Sequence, residues 1–409
     1  MEFKEYKLSD ISINITDGVH NTVVDDNNGE CLLLSCKNIK NGKIVIGENE
    51  RRINKETLLK LRKRSCLQKD DILVTSVGTI GEMSIVEDEN PKYDFQRSVA
   101  IIKPDKNKVI PYFLYCCLNS ELGQINSLIK GAVQKCLFIS DIRNIKIDLP
   151  DFQTQKKIVE ILIKIDKKIS LNNKINDNLL NICQNLYKEW FVEFKFENFT
   201  GQLIESEKGL IPYNWSIQQI QDIVEIKRGA SPRPIQEYLS NEGINWLKIS
   251  DVTGVNEPYI YNIKEKIKEC GKNKSRFIKK GTLVVSNSAT PGIPKFIEVD
   301  TCVHDGWLIL EGYKEYYKEF LYFLLLDIRN TLLKMANGSV FQNLKTEILK
   351  EFKFINPSEE IIKEFQKIVK PLMEKVNANV QENINLNQLK DTLLPKLMNG
   401  EIDLDKIEI

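Results

Sequence analysis

A tripeptide of this chain returns 207 residues downstream, and the spacing then holds without a gap. Phe113-Leu114-Tyr115 recurs as Phe320-Leu321-Tyr322, Gly131-Ala132-Val133 as Gly338-Ser339-Val340, and Leu149-Pro150-Asp151 as Asn356-Pro357-Ser358. A period this long predicts two similar units in tandem, each large enough to bury its own core. Upstream the likeness continues with small slips. Residues 69–76 read against 279–286, each a polar turn feeding a run of branched residues suited to a strand. A Thr-x-Gly turn follows in both, Thr79-Ile80-Gly81 and Thr290-Pro291-Gly292, and Tyr6-Lys7-Leu8 pairs loosely with Trp215-Ser216-Ile217. Each copy reads as strands first, then a helix.

The helices have the plainest pattern. No Gly or Pro interrupts Gln153 to Trp190, where apolar positions alternate by four and three: Ile158, Leu162, Ile165, Ile169, then Leu179, Cys183, Leu186 and Trp190. The second copy gives Phe365, Val369, Leu372, Val376, then Leu386, Leu393 and Leu397, with Lys390 the one poor fit. The middle of each seam is polar, with Asn172 and Asn176 matched by Asn379 and Asn383. Buried amides at such positions weaken a coiled coil but fix its register, because a slipped pairing leaves them unsatisfied. Asp151 and Ser358 sit at matching N-cap positions after a proline, and Pro371 is expected to kink the second helix or delay its start. A helix of this length spans about 57 Å at ~1.5 Å per residue. The expected fold class is α+β: two tandem α/β domains separated by two long antiparallel coiled-coil helices, related by a pseudo-twofold. Boundaries fall at 1–150 for the first domain, 151–196 for its helix, 205–357 for the second domain, 358–398 for its helix and 399–409 for a tail.

Composition mainly excludes. The 58 basic and 57 acidic residues leave a net charge of +1, whereas a protein that grips DNA unaided is usually visibly basic. Nucleic-acid contact must therefore rest on local patches or be shared with a partner. The amino terminus lacks the apolar core of a signal peptide, and no run approaches the roughly 18 apolar residues a membrane helix needs. Nine cysteines without a C-x-x-C pair fit a reducing cytoplasm, and with two histidines a Cys/His zinc site is not expected. No Gly-rich cofactor loop appears, and Asn356-Pro357-Ser358-Glu359 lacks the second proline and aromatic of an adenine methyltransferase motif. The chain is expected to be no enzyme and to bind no metal or cofactor itself.

Several phrases, in order and across essentially the whole chain, resemble the specificity subunits of type I restriction–modification systems. Ser206-Glu207-Lys208-Gly209-Leu210-Ile211-Pro212-Tyr213-Asn214-Trp215 is similar to that family's lead-in to its second recognition domain. Leu149-Pro150 followed by Gln153-Thr154-Gln155-Lys156-Lys157-Ile158 resembles the start of its first conserved helix, and Leu394-Pro395-Lys396-Leu397-Met398-Asn399-Gly400-Glu401-Ile402 its C-terminal signature. The resemblance implies two target-recognition domains, each reading one half of an interrupted sequence in double-stranded DNA. It also implies that the helices dock two methyltransferase subunits, which carry S-adenosylmethionine and methylate adenine, and it leaves open whether restriction subunits join them.

Base readout needs polar side chains on rigid loops, and phosphate contacts need Lys, Arg or small-residue turns. Candidate DNA contacts in the first domain are Thr16, His20 and Asn21 around a Gly18 turn, Lys37 and Asn38, Ser76 and Thr79 after the matched strand, Gln96 and Arg97, and Gln134 and Lys135 in the Gly-led loop. In the second they are Lys227, Arg228, Ser231 and Arg233, then Lys248, then Ser286, Asn287, Ser288 and Thr290, then His304, and Gln342 with Asn343. Both histidines are read as local hydrogen-bonding groups and not as metal ligands. The residues alone leave one alternative standing, a coiled-coil scaffold whose globular arms bind protein partners and not DNA.

Overall fold

The computed structural model describes residues 3–131, 135–197, 199–336, 343–398 and 400–402. Backbone contacts divide the chain into two units, one of Met1–Lys168 with Leu386–Ile409 and the other of Ile169–Asn385. Each unit contains part of both long helices, so each has its own helical floor.

In the first unit a four-stranded antiparallel sheet runs in the order Ser12–Asp17, Val99–Pro104, Ile72–Thr75, Met83–Ile85. Its two central strands, Ile72–Thr75 and Val99–Pro104, are buried at every position because both of their faces are covered. Ile72, Val74, Ala100 and Ile102 face the helix Pro111–Ser120, together with Ile158, Leu162, Leu394 and Leu397 of the long helices. Their neighbours Leu73, Val99 and Ile101 face Leu34 and Phe95 of a second, three-stranded sheet. Such double burial erases the apolar–polar alternation of a one-sided sheet.

The second unit repeats this plan. Its main sheet follows the order Glu225–Arg228, Trp307–Glu311, Thr282–Ser286, Pro294–Ile297, with Tyr259–Ile260 added at the edge. Leu283, Val285, Leu308 and Leu310 point to the helical side, and Val284, Trp307 and Ile309 to the other.

Hydrogen bonding fixes how the copies correspond and corrects the upstream alignment. Asp70 and Gly281 both have positive φ, at 71° and 86°, and donate to Val86 and Ile297 respectively. Asp70, and not Asp71, is therefore the counterpart of Gly281. The sequence alignment of 69–76 with 279–286 is one residue out, since a left-handed turn tolerates Gly or Asp while the branched residues beyond it interchange freely. Thr75 thus matches Ser286: Thr75 accepts from the Glu82 amide and Ser286 from the Ile293 amide through their hydroxyls. At the amino end the correction is three residues. Leu8 and Ile220 open matching 3-10 turns, donating to Ile145 and Phe352, and the Asp10 and Asp222 carboxylates accept from the amides of Lys7 and Gln219.

The first long helix covers Phe152–Tyr187 and ends in a π-turn at Lys188–Val192. Asp151 caps it, its carboxylate accepting from the amides of Gln153 and Thr154 at 2.9 and 3.0 Å. The second covers Glu359–Met398 and runs through Pro371. The expectation of a late start at that proline is wrong. Pro371 lies on an exposed face, where the Lys367 carbonyl that loses its partner can bond to water.

Within the second unit the two helices run in opposite directions. Asn172 Nδ2 donates to Asn383 Oδ1 at 2.9 Å and Glu382 Oε2 at 2.8 Å, Asn383 Nδ2 to Asn173 Oδ1 at 2.7 Å, and Asn379 Nδ2 to Asn176 Oδ1 at 2.8 Å. Lys390, the misfit of the apolar seam, belongs to the first unit, where its ammonium sits 2.7 Å from Asp166 and 3.3 Å from the Tyr112 hydroxyl. Leucine at Asn379 alone is expected to destabilise the second unit by about 1–3 kcal/mol, because the buried Asn176 carbonyl loses its donor. Leucine at both 176 and 379 is expected to recover most of that loss. All four tryptophans (190, 215, 246 and 307) lie in this unit, so tryptophan fluorescence during thermal unfolding checks both variants. A double variant as unstable as the single would count against the pairing.

Candidate nucleic-acid interface

The candidate residues sit at loop junctions that both units build with the same backbone bonds. In the first, Gly18 and Val19 donate to Val99 and Phe95 at 3.1 and 2.9 Å, Gln96 donates to Leu34, Ser76 to Ser98, and Leu137 to Ser76. In the second, Gly229 and Ala230 donate to Trp307 and Val303 at 2.9 Å each, His304 to Leu247, Asn287 to Gly306, and Leu344 to Asn287. Five segments distant in sequence are thus tied into one loop cluster per unit. A main-chain framework of this kind holds the exposed side chains in fixed positions while leaving their identity free to vary.

The junctions sort the candidates. Four of them are buried and build the loops. Asn38 is 1% exposed, accepting from the Ser35 amide and donating to the Val45 carbonyl at 3.0 Å each. Ser76 donates to the Arg97 carbonyl, Ser286 to the Thr290 carbonyl, and Asn287 to the Asp305 carbonyl. Their assignment as DNA contacts is corrected on that ground, since each is buried and donates to a carbonyl of its own loop framework. Lys227 is also withdrawn, being held between Glu225 at 2.8 Å and Glu311 at 3.2 Å.

Other candidates stay accessible. His20, Asn21, Thr79, Arg97 and Lys135 are exposed in the first unit, with Thr16 and Gln96 half-buried. Arg228, Arg233, Thr290 and Asn343 are exposed in the second, with Ser231, Ser288 and His304 half-buried. Lys37 is paired with Glu50 at 2.9 Å, and Lys248 with Glu265. Gln134 and Gln342 lie outside the described residues.

An acidic residue organises each cluster: Asp305, which the sequence offers beside His304, and Asp17, which sequence reasoning missed as a site residue. Asp17 accepts from His20 at 2.6 Å and from Arg64. Asp305 accepts from Ser231 at 2.8 Å, lies 3.0 Å from His304 Nε2 and 3.6 Å from Arg233, and its backbone carbonyl takes the Arg228 Nε–H at 2.9 Å. His304 Nδ1 accepts from the Gly306 amide at 2.8 Å, which leaves the proton on Nε2, facing Asp305. Burial lowers the His304 pKa despite that carboxylate, so the ring is neutral near pH 7. Ser231, Arg233, Trp246, His304 and Asp305 line an open hollow of about 620 Å³. Arg64 comes from the helix Lys55–Ser65. A 3-10 helix, Glu269–Lys274, stands at the matching place in the second copy, and Arg276 beyond it donates to the Arg228 carbonyl at 2.7 Å.

The family model for the type I restriction modification DNA specificity domain matches residues 2–181 and again 212–388. The chain belongs to this family. It is 26% identical to the HindI specificity subunit of Haemophilus influenzae, over 98% of this chain and 100% of the relative, and 26% identical to the MjaIX specificity subunit of Methanocaldococcus jannaschii, over 89% and 84%. In structure it resembles the S subunit of the type I system of M. genitalium, with a TM-score of 0.55 and 17% identity over 97% of this chain and 96% of that one. The twofold match of the family model reproduces the internal repeat, and the scaffold alternative is not favoured. A specificity subunit is the non-catalytic, DNA-recognising member of such a system. Among the described residues no helix is long and apolar enough to cross a membrane, and no cluster of three metal-ligating side chains forms.

Proposed function

We infer that each domain of this specificity subunit reads one half of an interrupted DNA target in the cytoplasm, and that the paired long helices act as a coiled-coil spacer setting the gap between the halves. The observation that carries this reading is the rebuilding of one braced loop cluster in both units, with different side chains on the same backbone plan. Shared framework with divergent tips suits two readers of unlike sequences. The near-zero net charge supports a division of labour: modification subunits, which would hold S-adenosylmethionine and methylate adenine, supply much of the phosphate grip. The accessible candidates, Arg97, Thr79 and Lys135 in one domain and Arg228, Arg233 and Asn343 in the other, are the proposed contacts.

Mapping methylated adenines in cells that carry the chain with its modification subunits tests the reading, and a split motif is expected. Removing one heptad from each long helix, across the Asn172–Asn383 contact, shortens the pair by about 10 Å and leaves domain orientation within about 20°. The gap in the methylated motif is then expected to shrink, by no more than about three base pairs at 3.4 Å each. Both half-sites modified at an unchanged gap would eliminate the spacer role.

A further inference from the structure

The acidic residues at the two loop clusters share a chemistry that the repeat cannot explain. Asp17 holds Arg64 and His20, and Asp305 holds Arg233, His304 and Ser231. If duplication had supplied this arrangement, the two carboxylates would occupy equivalent positions, and they do not. Asp17 pairs with Ala100 across the sheet, as Arg228 does with Leu308, so the counterpart of Asp17 is an arginine. Asp305 follows His304, whose amide bonds to Leu247 as that of Gln96 bonds to Leu34, so the counterpart of Asp305 is Arg97. The signs are exchanged between copies: Asp17 and Arg97 in one, Arg228 and Asp305 in the other. The same device has been built twice from opposite starting points.

Stability does not account for it, because exposed ion pairs contribute little. Asp17 is 15% exposed while Arg64 is 54% exposed, and Asp305 is 28% exposed beside Arg233 at 83%. Each carboxylate is therefore sunk in the loop framework and its arginine projects outward. The Arg64 backbone is fixed as well, since Arg62 in the same helical turn donates to the carbonyls of Pro91 and Tyr93 at 2.6 and 3.0 Å. Arg228 is held by its Nε, which leaves its terminal nitrogens to point away. A guanidinium so placed matches the O6 and N7 acceptors of guanine in the major groove, the commonest specific protein–DNA contact.

We propose that Asp17 and Asp305 are positioning residues whose carboxylates aim arginine forks at guanine, Arg64 in the half-site of the first domain and Arg233 in that of the second, where the main-chain carbonyl of Asp305 also holds Arg228. This rests on the DNA-reading role inferred above. The test is a map of methylated sites, cognate and near-cognate, for the chain expressed with its modification subunits. Arg64→Lys keeps the charge but loses the fork. It is expected to relax discrimination at one G·C pair of one half-site by roughly 5- to 150-fold, leaving the other half untouched. Asp17→Asn should relax the same pair, and Asp305→Asn a pair in the other half. Three results would overturn the proposal: Arg64→Lys as stringent as wild type at every position, a uniform loss across all sequences as for a phosphate contact, or a half-site without a G·C pair. A wild-type complex that modifies no split motif at all would remove the parent role with it, whereas a split motif insensitive to Arg64→Lys removes this assignment alone.

Discussion

Alanine at Gly18 or at Gly229 is expected to abolish modification of the intact target and to destabilise the domain concerned by on the order of 3 kcal/mol. Neither glycine is needed for a left-handed backbone. They are needed because another strand passes too close for a side chain. A Cβ on Gly18 would lie 2.0 Å from the Phe95 carbonyl oxygen and 2.4 Å from its carbon, and one on Gly229 would lie 2.1 Å from the His304 oxygen. Those neighbours are backbone, pinned by the Val19-to-Phe95 and Ala230-to-Val303 hydrogen bonds, so relief requires breaking the junction that gathers the loops. A split site needs both halves read, hence either single substitution should silence it. Gly123→Ala is the control. Its Cβ would meet nothing within 4 Å, and it lies in the short helix Leu122–Ser127, so stability should hold or rise slightly. Methylation of a cognate duplex and the unfolding midpoint of each variant are the measurements. Full activity in Gly18→Ala would mean that this junction does not organise the reading face.

The tandem plan was legible because the stretch from Phe113 onward keeps one offset. Leu137 and Leu344, 207 residues apart, make the same bond to the preceding strand loop, to Ser76 and Asn287. Before that stretch the offset drifts, reaching 208 at Gln96 and His304 and 211 at Thr79 and Thr290. Branched residues in a strand buried on both faces are locally interchangeable, so composition gave no purchase on a one-residue slip, although such a slip exchanges the two faces. The left-handed turns at Asp70 and Gly281 do fix the register, but Asp70 is followed by Asp71, and either aspartate suits such a turn.

The candidate site was legible as a set of loops and not as a set of side chains. The Gly18 and Gly229 turns stood out by their glycine and polar neighbours. Whether a polar residue in such a loop faces outward depends on bonds the sequence does not show, as Asn287 illustrates, buried with its amide nitrogen donating to the Asp305 carbonyl. Arg64 was invisible for the opposite reason: it sits in a helix that reads as ordinary basic surface and reaches the turn only through Asp17, 47 residues earlier.

Replacing Asp71 by alanine is expected to cost the first unit about 3–5 kcal/mol, and Asp71→Leu combined with Lys103→Met to restore most of it. Asp71 is 1% and Lys103 7% exposed. The ammonium lies 2.6 Å from Asp71 Oδ2 and 2.6 Å from the Cys66 carbonyl, and the same carboxylate oxygen accepts from the Gln68 amide at 2.9 Å. Burial raises the Asp71 pKa above the ordinary carboxylate range even though Lys103 and its hydrogen bonds pull it down. The sign of that shift matters. A carboxyl raised on folding favours the native state most at acid pH, and that advantage is lost as pH rises through its folded pKa. Near neutrality the ionised aspartate is thus not itself a source of stability. Removing it is still worse than keeping it, because Lys103 would be left charged in the core with a single carbonyl for a partner. The apolar double variant avoids both costs. The tryptophans all lie in the other unit, so the relevant transition is the one seen by far-UV circular dichroism and not by tryptophan fluorescence. If Asp71→Ala unfolds with the wild-type midpoint, the ammonium has found water or another acceptor, and Lys103 is not the buried charge that the packing around it implies.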